Sequence, residues 1–231
     1  MTCGEAKWKY GSMINPPFAS GEFYHIYNRG VEKRKIFLDN KDHYRFLETL
    51  NFYRSFPQPM KLSDFRRGAI RLKKIDKQVQ VVKIYCYCLM PNHFHLLIQQ
   101  LEDGGISEFM RKISDSYTRY FNTKYKRIGS LFQGGFKAKM VETDEYLLQL
   151  SKYIHRNSFP LPMWEGKVYP YSSYAYYLNS EKHPFCDTEF IGGYFSKTNP
   201  KNSYKSFVEE NEYNDPVGIY NLSIDSDECT E

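Results

Sequence analysis

The sequence lacks any run of 18 apolar residues and shows no secretory signal peptide, so we expect a cytoplasmic protein with no membrane span. Cysteine is scarce, and the five residues present, an odd number, lack the spacing of a disulfide framework. Cys86 and Cys88 lie in an apolar, strand-like run and are interpreted as buried small hydrophobes rather than as a metal-binding pair. These absences exclude a membrane protein and a small secreted protein held together by disulfides.

Basic residues are absent from residues 209–231, which hold eight Asp and Glu. Residues 1–208 therefore carry all 32 Lys and Arg of the chain against 19 of its 27 acidic residues, a net charge of +13. A body of this charge attracts polyanions, of which nucleic acid is the usual one. Charge alone does not decide between such a partner and a merely solvated surface.

The chain divides into three parts. Residues 1–20 are interpreted as an irregular leader, residues 21–180 as one domain with a basic insertion near 57–78, and residues 181–231 as a C-terminal extension with an acidic, flexible tail. Within the domain, the residue patterns predict strands at 23–27, 79–90, 93–99 and 136–141, and helices at about 39–53, 106–125 and 143–157. This order predicts an α+β, ferredoxin-like (split βαβ) fold, an antiparallel sheet with helices on one face plus a C-terminal helix.

Two histidines flank one apolar residue in His93-Phe94-His95. Side chains alternate along a strand, so both imidazoles face the same side, about 6–7 Å apart, and can bind one divalent metal ion. On the last predicted helix, Tyr153 and Asn157 are four residues apart and share a face. If this helix docks over the strand, the two histidines and the Asn157 amide oxygen can hold a metal, and Tyr153 can attack a phosphodiester.

Each of these residues also has a simpler interpretation. A histidine in a strand is more often a core or surface residue than a ligand, and a tyrosine among 21 has little claim to catalysis. Asn157 stands where a helix C-cap is expected. His155, two positions from Tyr153, points away from it and is interpreted as structural. Residue types and spacing alone therefore lead no further than a metal-site hypothesis.

Five motifs, in this order, resemble the single-tyrosine HUH transposases, and most closely the branch of REP-associated tyrosine transposases. They are Phe23-Tyr-His-Ile-Tyr-Asn-Arg-Gly30, Met90-Pro-Asn-His-Phe-His-Leu-Leu97, Leu131-Phe-Gln-Gly-Gly-Phe-Lys-Ala138, Tyr153-Ile-His-Arg-Asn157 and Tyr169-Pro-Tyr-Ser-Ser-Tyr174. The similarity covers about residues 20–180. One departure is Ser158-Phe159-Pro160, where many relatives have proline directly after the asparagine; it leaves the candidate ligands in place.

The resemblance implies Mg²⁺ or Mn²⁺, a single-stranded or hairpin DNA substrate, and a 5′-phosphotyrosine intermediate with a free 3′-OH on the other fragment. By position, Tyr153 matches the nucleophile, His93 and His95 the histidine ligands, and Asn157 the amide-type ligand of a C-terminal catalytic helix. Relatives that bind hairpins surround the stem with basic groups, for which the candidates here are Arg119, Lys124, Lys126, Arg127, Lys137 and Lys139. Relatives include monomers and homodimers, and a DNA substrate predicts a nucleoid-associated location in the cytoplasm.

Three functions are therefore compared. The first is a transposase-like DNA strand transferase, which the complete set of His93, His95 and Tyr153 favours. The second is a hairpin-binding protein derived from a transposase that no longer cuts DNA. The third is a metal-dependent hydrolase that uses water, with Tyr153 in the core. The acidic tail adds a further hypothesis, that it covers the site as a mimic of DNA.

Overall fold

The computed structural model describes residues 17–58, 62–66, 79–161, 163, 167–179 and 182–210. The strands are β1 (Phe23–Arg29), β2 (Ser55–Phe56), β3 (Val79–Gln80), β4 (Val82–Leu89), β5 (His93–Gln100) and β6 (Lys137–Val141). The helices are α1 (Asn40–Tyr53), α2 (Leu62–Arg66), α3 (Gly105–Lys124), α4 (Asp144–Arg156), α5 (Tyr174–Asn179), α6 (Thr188–Gly192) and α7 (Tyr204–Glu209), with 3₁₀ turns at Val31–Lys33 and Pro200–Asn202. None of the described helices has both the length and the apolar composition that a membrane crossing needs.

Four strands form the main sheet, in the spatial order β4-β5-β1-β6 with every neighbouring pair antiparallel. With α1 after β1 and α3 after β5, this is the strand order of a split βαβ unit. The predicted α+β, ferredoxin-like fold is confirmed. The strand predicted at 79–90 is divided in the structure, because β3 pairs with β2 in a separate two-stranded ribbon and β4 begins at Val82.

Helices α1 and α3 contact each other on the face of the sheet to which Phe94 points. Phe46 on α1 lies 5.0 Å, between ring centroids, from both Phe94 and Tyr117, and all three side chains are buried. Burying an aromatic ring of this size contributes roughly 1.5–3 kcal/mol. Because Phe94 alternates with His93 and His95, the ring that anchors β5 in this core turns both histidines to the opposite face.

Helix α4 crosses that opposite face and contacts β4, β5 and β6. It begins as the sequence predicts: the Thr143 hydroxyl accepts a hydrogen bond from the Tyr146 backbone N–H at 3.1 Å, and Asp144 and Glu145 occupy the first turn. Its buried residues include Leu147, Leu150 and Ile154, the apolar stripe expected to hold it on the sheet.

The C-terminal segment supports both the sheet and α4. Along the outer edge of β4, the Ser173 N–H donates to the Tyr87 carbonyl at 3.0 Å and the Asp187 N–H donates to the Ile84 carbonyl at 2.8 Å. Helix α7 packs on α4, where the Arg156 guanidinium donates to the carbonyls of Val208 (2.9 Å) and Glu210 (3.0 Å). Residues 182–210 thus pack against the domain, and a boundary at residue 180 stays a prediction. The acidic tail from residue 211, most of the basic insertion and leader residues 1–16 lie outside the described residues.

Two buried histidines that lie outside the strands, His43 and His183, predict acid sensitivity. Burial lowers the pKa of His43 to about 4 and that of His183 to about 4, from 6.5. As the pH falls from 6.5 to 4 the unfolded chain binds protons first, so the free energy of unfolding should fall in this window by on the order of 1 kcal/mol per pH unit for each group. Urea unfolding at pH 7.5, 6 and 5 measures the slope. His183→Gln should show a shallower slope, and an equal slope would contradict the assignment.

Candidate active site

The histidine pair lies on the face of the sheet beneath α4. His93 and His95 are both buried, and their ring centroids are 5.0 Å apart. The strand register sets Tyr27 on β1 opposite His95 and Lys137 on β6 opposite Tyr27, so these three side chains form one row across the sheet. Alternation along β5 thus gives the same-face arrangement that the sequence predicts.

Helix α4 brings Tyr153 onto the histidines. The Tyr153 ring stands edge-on to the His95 ring, with centroids 5.4 Å apart and planes at 83°. Only 2% of Tyr153 is exposed. The predicted proximity of phenol and imidazole is therefore present, while their chemical roles stay predictions. Because the phenol is covered, a phosphodiester can reach it only after neighbouring groups move aside.

Asn157 is the C-cap residue of α4, one turn beyond Tyr153. Its Nδ2 donates to the Tyr153 backbone carbonyl at 3.0 Å, so Oδ1 is the atom with which Asn157 could bind a cation. The described residues contain no group of three or more His, Cys, Asp or Glu that could hold a metal ion. A cation at this site therefore depends on a mixed set of two imidazoles and one carboxamide.

The hydrogen bond of His93 fixes the position of its ring proton. Nδ1 of His93 lies 2.7 Å from Oδ1 of Asn92, in the turn between β4 and β5. An amide oxygen only accepts, so Nδ1 carries the proton and donates it. In a neutral ring the lone pair then lies on the other nitrogen, Nε2, and Nε2 is buried in both His93 and His95. Two imidazoles with a buried Nε2 and an amide oxygen suit a divalent cation.

The sequence motifs gave no role to His25, a third histidine of the site. His25 lies on β1 with its Nε2 2.9 Å from Nδ1 of His95, and neither side chain is exposed. Burial, then His95 and Lys139, hold the pKa of His25 well below its usual value, so the ring is neutral. Alternation along β1 could have indicated its face, but the contact depends on how β1 pairs with β5.

The six basic candidates do not form one surface. Lys137 and Lys139 lie on β6, on the face that carries the histidines, where the Lys139 ammonium sits 4.9 Å above the Tyr146 ring. Arg119 and Lys124 belong to α3, on the other side of the sheet, and Lys126 and Arg127 follow it. The Lys124 ammonium contacts Asp39 and Asp42 at 2.8 and 2.7 Å, so its charge is neutralised within the protein.

His155 and the strand cysteines lie away from this chemistry. His155 contacts the Tyr204 hydroxyl through Nδ1 at 2.7 Å and the Ser173 hydroxyl through Nε2 at 2.8 Å, and burial lowers its pKa to about 3. It therefore links α4 to the C-terminal segment, in keeping with its structural interpretation. Cys86 and Cys88 are buried free thiols, as expected.

The structure thus sets a His-x-His pair on an antiparallel ferredoxin-like sheet, beneath a helix that carries a tyrosine. Residues 67–157 match the family model described as IS200-like transposase. This segment contains His93, His95, Tyr153 and Asn157, and its match to the family model confirms the resemblance found in the motifs. The search of curated proteins gives no match.

Solved structures resemble the chain in fold. A REP-associated tyrosine transposase bound to a REP hairpin is 14% identical, with a TM-score of 0.52 over 77% of this chain and 93% of that chain. A putative transposase from Deinococcus radiodurans R1 is 14% identical, with a TM-score of 0.35 over 64% of this chain and 97% of that one. A bacterial tRNA(His) guanylyltransferase-like protein in complex with GTP is 12% identical, with a TM-score of 0.35 over 64% and 68%. Only the first is similar enough to support the fold.

Proposed function

We propose that the protein is a DNA strand transferase that cuts and rejoins single-stranded or hairpin DNA through a covalent bond to Tyr153. The observation that carries the proposal is the position of the Tyr153 phenol, edge-on to His95 at 5.4 Å on the face that holds both histidines. A DNA substrate is supported by the transposase family model that residues 67–157 match and by the fold shared with a hairpin-bound transposase.

The residues present fit a divalent metal ion such as Mg²⁺ or Mn²⁺. His93 and His95 would hold it through Nε2, and Asn157 would hold it through Oδ1, since each other polar atom of these three side chains has a hydrogen-bonding neighbour within the protein. When bound, the ion would polarise a phosphodiester oxygen and stabilise negative charge. Two neutral imidazoles and one neutral amide would leave the charge of the cation available to the DNA.

The chain itself supplies the nucleophile. The Tyr153 oxygen forms a bond to phosphorus, the bond between phosphorus and the 3′ oxygen breaks, and the phenol proton is lost as the departing oxygen becomes a 3′-OH. The downstream strand is then joined to Tyr153 through its 5′ phosphate. Attack by a 3′-OH reverses these steps, so the energy of the phosphodiester bond is conserved and no nucleotide cofactor is needed.

Lys137 and Lys139 are the basic candidates best placed to bind DNA near this site. Both project from β6 on the face that carries the histidines, in the rows of Tyr27 and His25. Cations in such a row would bind backbone phosphates on either side of the cut without reading the base sequence. The roles of Arg119, Lys124, Lys126 and Arg127 in holding a stem stay predictions.

Covalent trapping tests the proposal. Hairpin-bearing single-stranded DNA is labelled at either its 3′ or its 5′ end, incubated with the protein and Mn²⁺, and run on a denaturing gel. We expect the 3′ label to migrate with the protein and the 5′ label to appear on a shorter, free strand. EDTA should abolish both products. A 5′ label on the protein would contradict the stated polarity.

Two other results would each replace the proposal. Cleavage without an adduct would identify a metal-dependent hydrolase. Binding without cleavage, over a varied set of hairpins, would identify a recognition protein, a function that the near-complete burial of the Tyr153 phenol favours.

A further inference from the structure

His25 is a buried imidazole on β1, on the face of the sheet that carries His95. It is 0% exposed, as is His95, and the two rings lie nearly parallel, with planes 22° apart and centroids at 5.1 Å. Burying polar nitrogens is unfavourable unless they are hydrogen-bonded, and the partner of His25 Nε2 is Nδ1 of His95, at 2.9 Å. The contact with His95 is therefore the specific feature that a histidine brings to this position.

His25 is not placed to share a cation with His95 through this nitrogen. The two nitrogens of an imidazole point in widely different directions, and His25 occupies the Nδ1 side of the His95 ring. A cation held at Nε2 of His95 lies on the other side. His25 thus acts on the site through His95.

We infer that His25 is a positioning residue, which holds His95 in the orientation and the tautomer that direct the lone pair of Nε2 at the cation site. The inference rests on the proposed function, because it deepens the metal site described there. A histidine that binds metal through Nε2 carries its proton on Nδ1, and this proton needs an acceptor. Asn92 Oδ1 is the acceptor for His93, and His25 Nε2 is the acceptor for His95.

The direction of the hydrogen bond between the rings decides whether His95 can bind. If His95 donates from Nδ1, the lone pair of its ring lies on Nε2 and can bind the cation. If His25 donates instead, Nδ1 of His95 accepts, and the proton of the His95 ring lies on Nε2, where it blocks the cation. Both supports, an imidazole and an amide, are neutral, whereas carboxylates are common in this role. A neutral support leaves the positive charge of the site undiminished, which suits a polyanionic substrate.

Mn²⁺ affinity without DNA tests the inference, measured by calorimetry on the full chain. His25→Phe fills the space but removes the acceptor, and we expect it to weaken Mn²⁺ binding by about 10–100-fold. His25→Gln keeps a side-chain acceptor and should restore most of the affinity. His183→Phe removes a buried imidazole that is hydrogen-bonded to Tyr87 on the edge strand β4, not to His25 or His95, and should leave the affinity unchanged. Urea unfolding of each variant shows whether it folds.

A second measurement does not depend on any variant. Long-range ¹H–¹⁵N spectra of the histidine rings in the metal-free protein should show His95 protonated at Nδ1. Protonation at Nε2 would overturn the inference, as would Mn²⁺ affinity of His25→Phe equal to that of the wild type, or loss in His25→Gln as large as in His25→Phe. Failure of the metal site itself has a different signature: the wild type and His95→Ala would then show the same Mn²⁺ binding, or none.

Discussion

Replacing Tyr153 by Phe is expected to abolish the protein–DNA adduct and to lower DNA cleavage by a factor of roughly 10³ or more. The change removes one oxygen and leaves the ring that packs edge-on against His95 and His25. The fold, the Mn²⁺ affinity and the DNA affinity should therefore stay close to those of the wild type. The denaturing gel measures the adduct, and fluorescence anisotropy with the same labelled hairpin measures binding.

Tyr146→Phe is the matched control for this experiment. Tyr146 lies on the same helix, seven residues before Tyr153, and is also buried. Its hydroxyl is lost in the same way, so a general effect of removing a phenol from α4 would appear in both variants. An adduct retained in Tyr153→Phe would show that another group attacks the DNA, and the proposed mechanism would be wrong.

Local patterns predicted the parts of the site that lie on single elements. The alternation of His93, Phe94 and His95 gives their faces on β5 whatever the strand pairs with, and the Thr143 cap fixes where α4 begins. The four-residue spacing places Tyr153 and Asn157 on one side of α4. The element order was enough to give the fold, because few arrangements of this order bury both faces of the sheet.

The remaining features depend on contacts between distant residues. The contact of His25 with His95 requires the register of β1 against β5, and residue types alone do not set that register. The described helices after residue 180 are only five or six residues long, too short for a clear apolar period. They pack through contacts such as that of Arg156 with Val208. Likewise, the sequence did not predict that Lys124 contacts two carboxylates, those of Asp39 and Asp42, because they lie more than 80 residues earlier in the chain.

Asp42, one of the two carboxylate partners of Lys124, is a residue whose loss should cost much stability. Asp42 is completely buried, and its carboxylate accepts from the Leu38 N–H (2.8 Å), the Tyr125 hydroxyl (2.8 Å), the Tyr120 hydroxyl (3.0 Å) and the Lys124 ammonium (2.7 Å). It thus ties the start of α1 to the end of α3. Removing a buried carboxylate that accepts this many hydrogen bonds is strongly destabilising, because the donors around it lose an acceptor.

We therefore expect Asp42→Asn to lower the free energy of unfolding by about 3 kcal/mol or more, measured in urea at pH 7.5. Glu108→Gln, which breaks an exposed ion pair with Arg111 on α3, should leave the urea midpoint nearly unchanged.

The variant Lys124→Met separates two roles of this lysine, a structural ion pair and a contact with DNA phosphate. If the lysine is structural, the variant should be less stable, and the salt dependence of hairpin binding should be unchanged. If it contacts phosphate, stability should be normal, and the slope of log binding constant against log salt concentration should shrink by about one. Because its ammonium is held between two carboxylates, we expect the first result, and the second would return Lys124 to the DNA-binding surface.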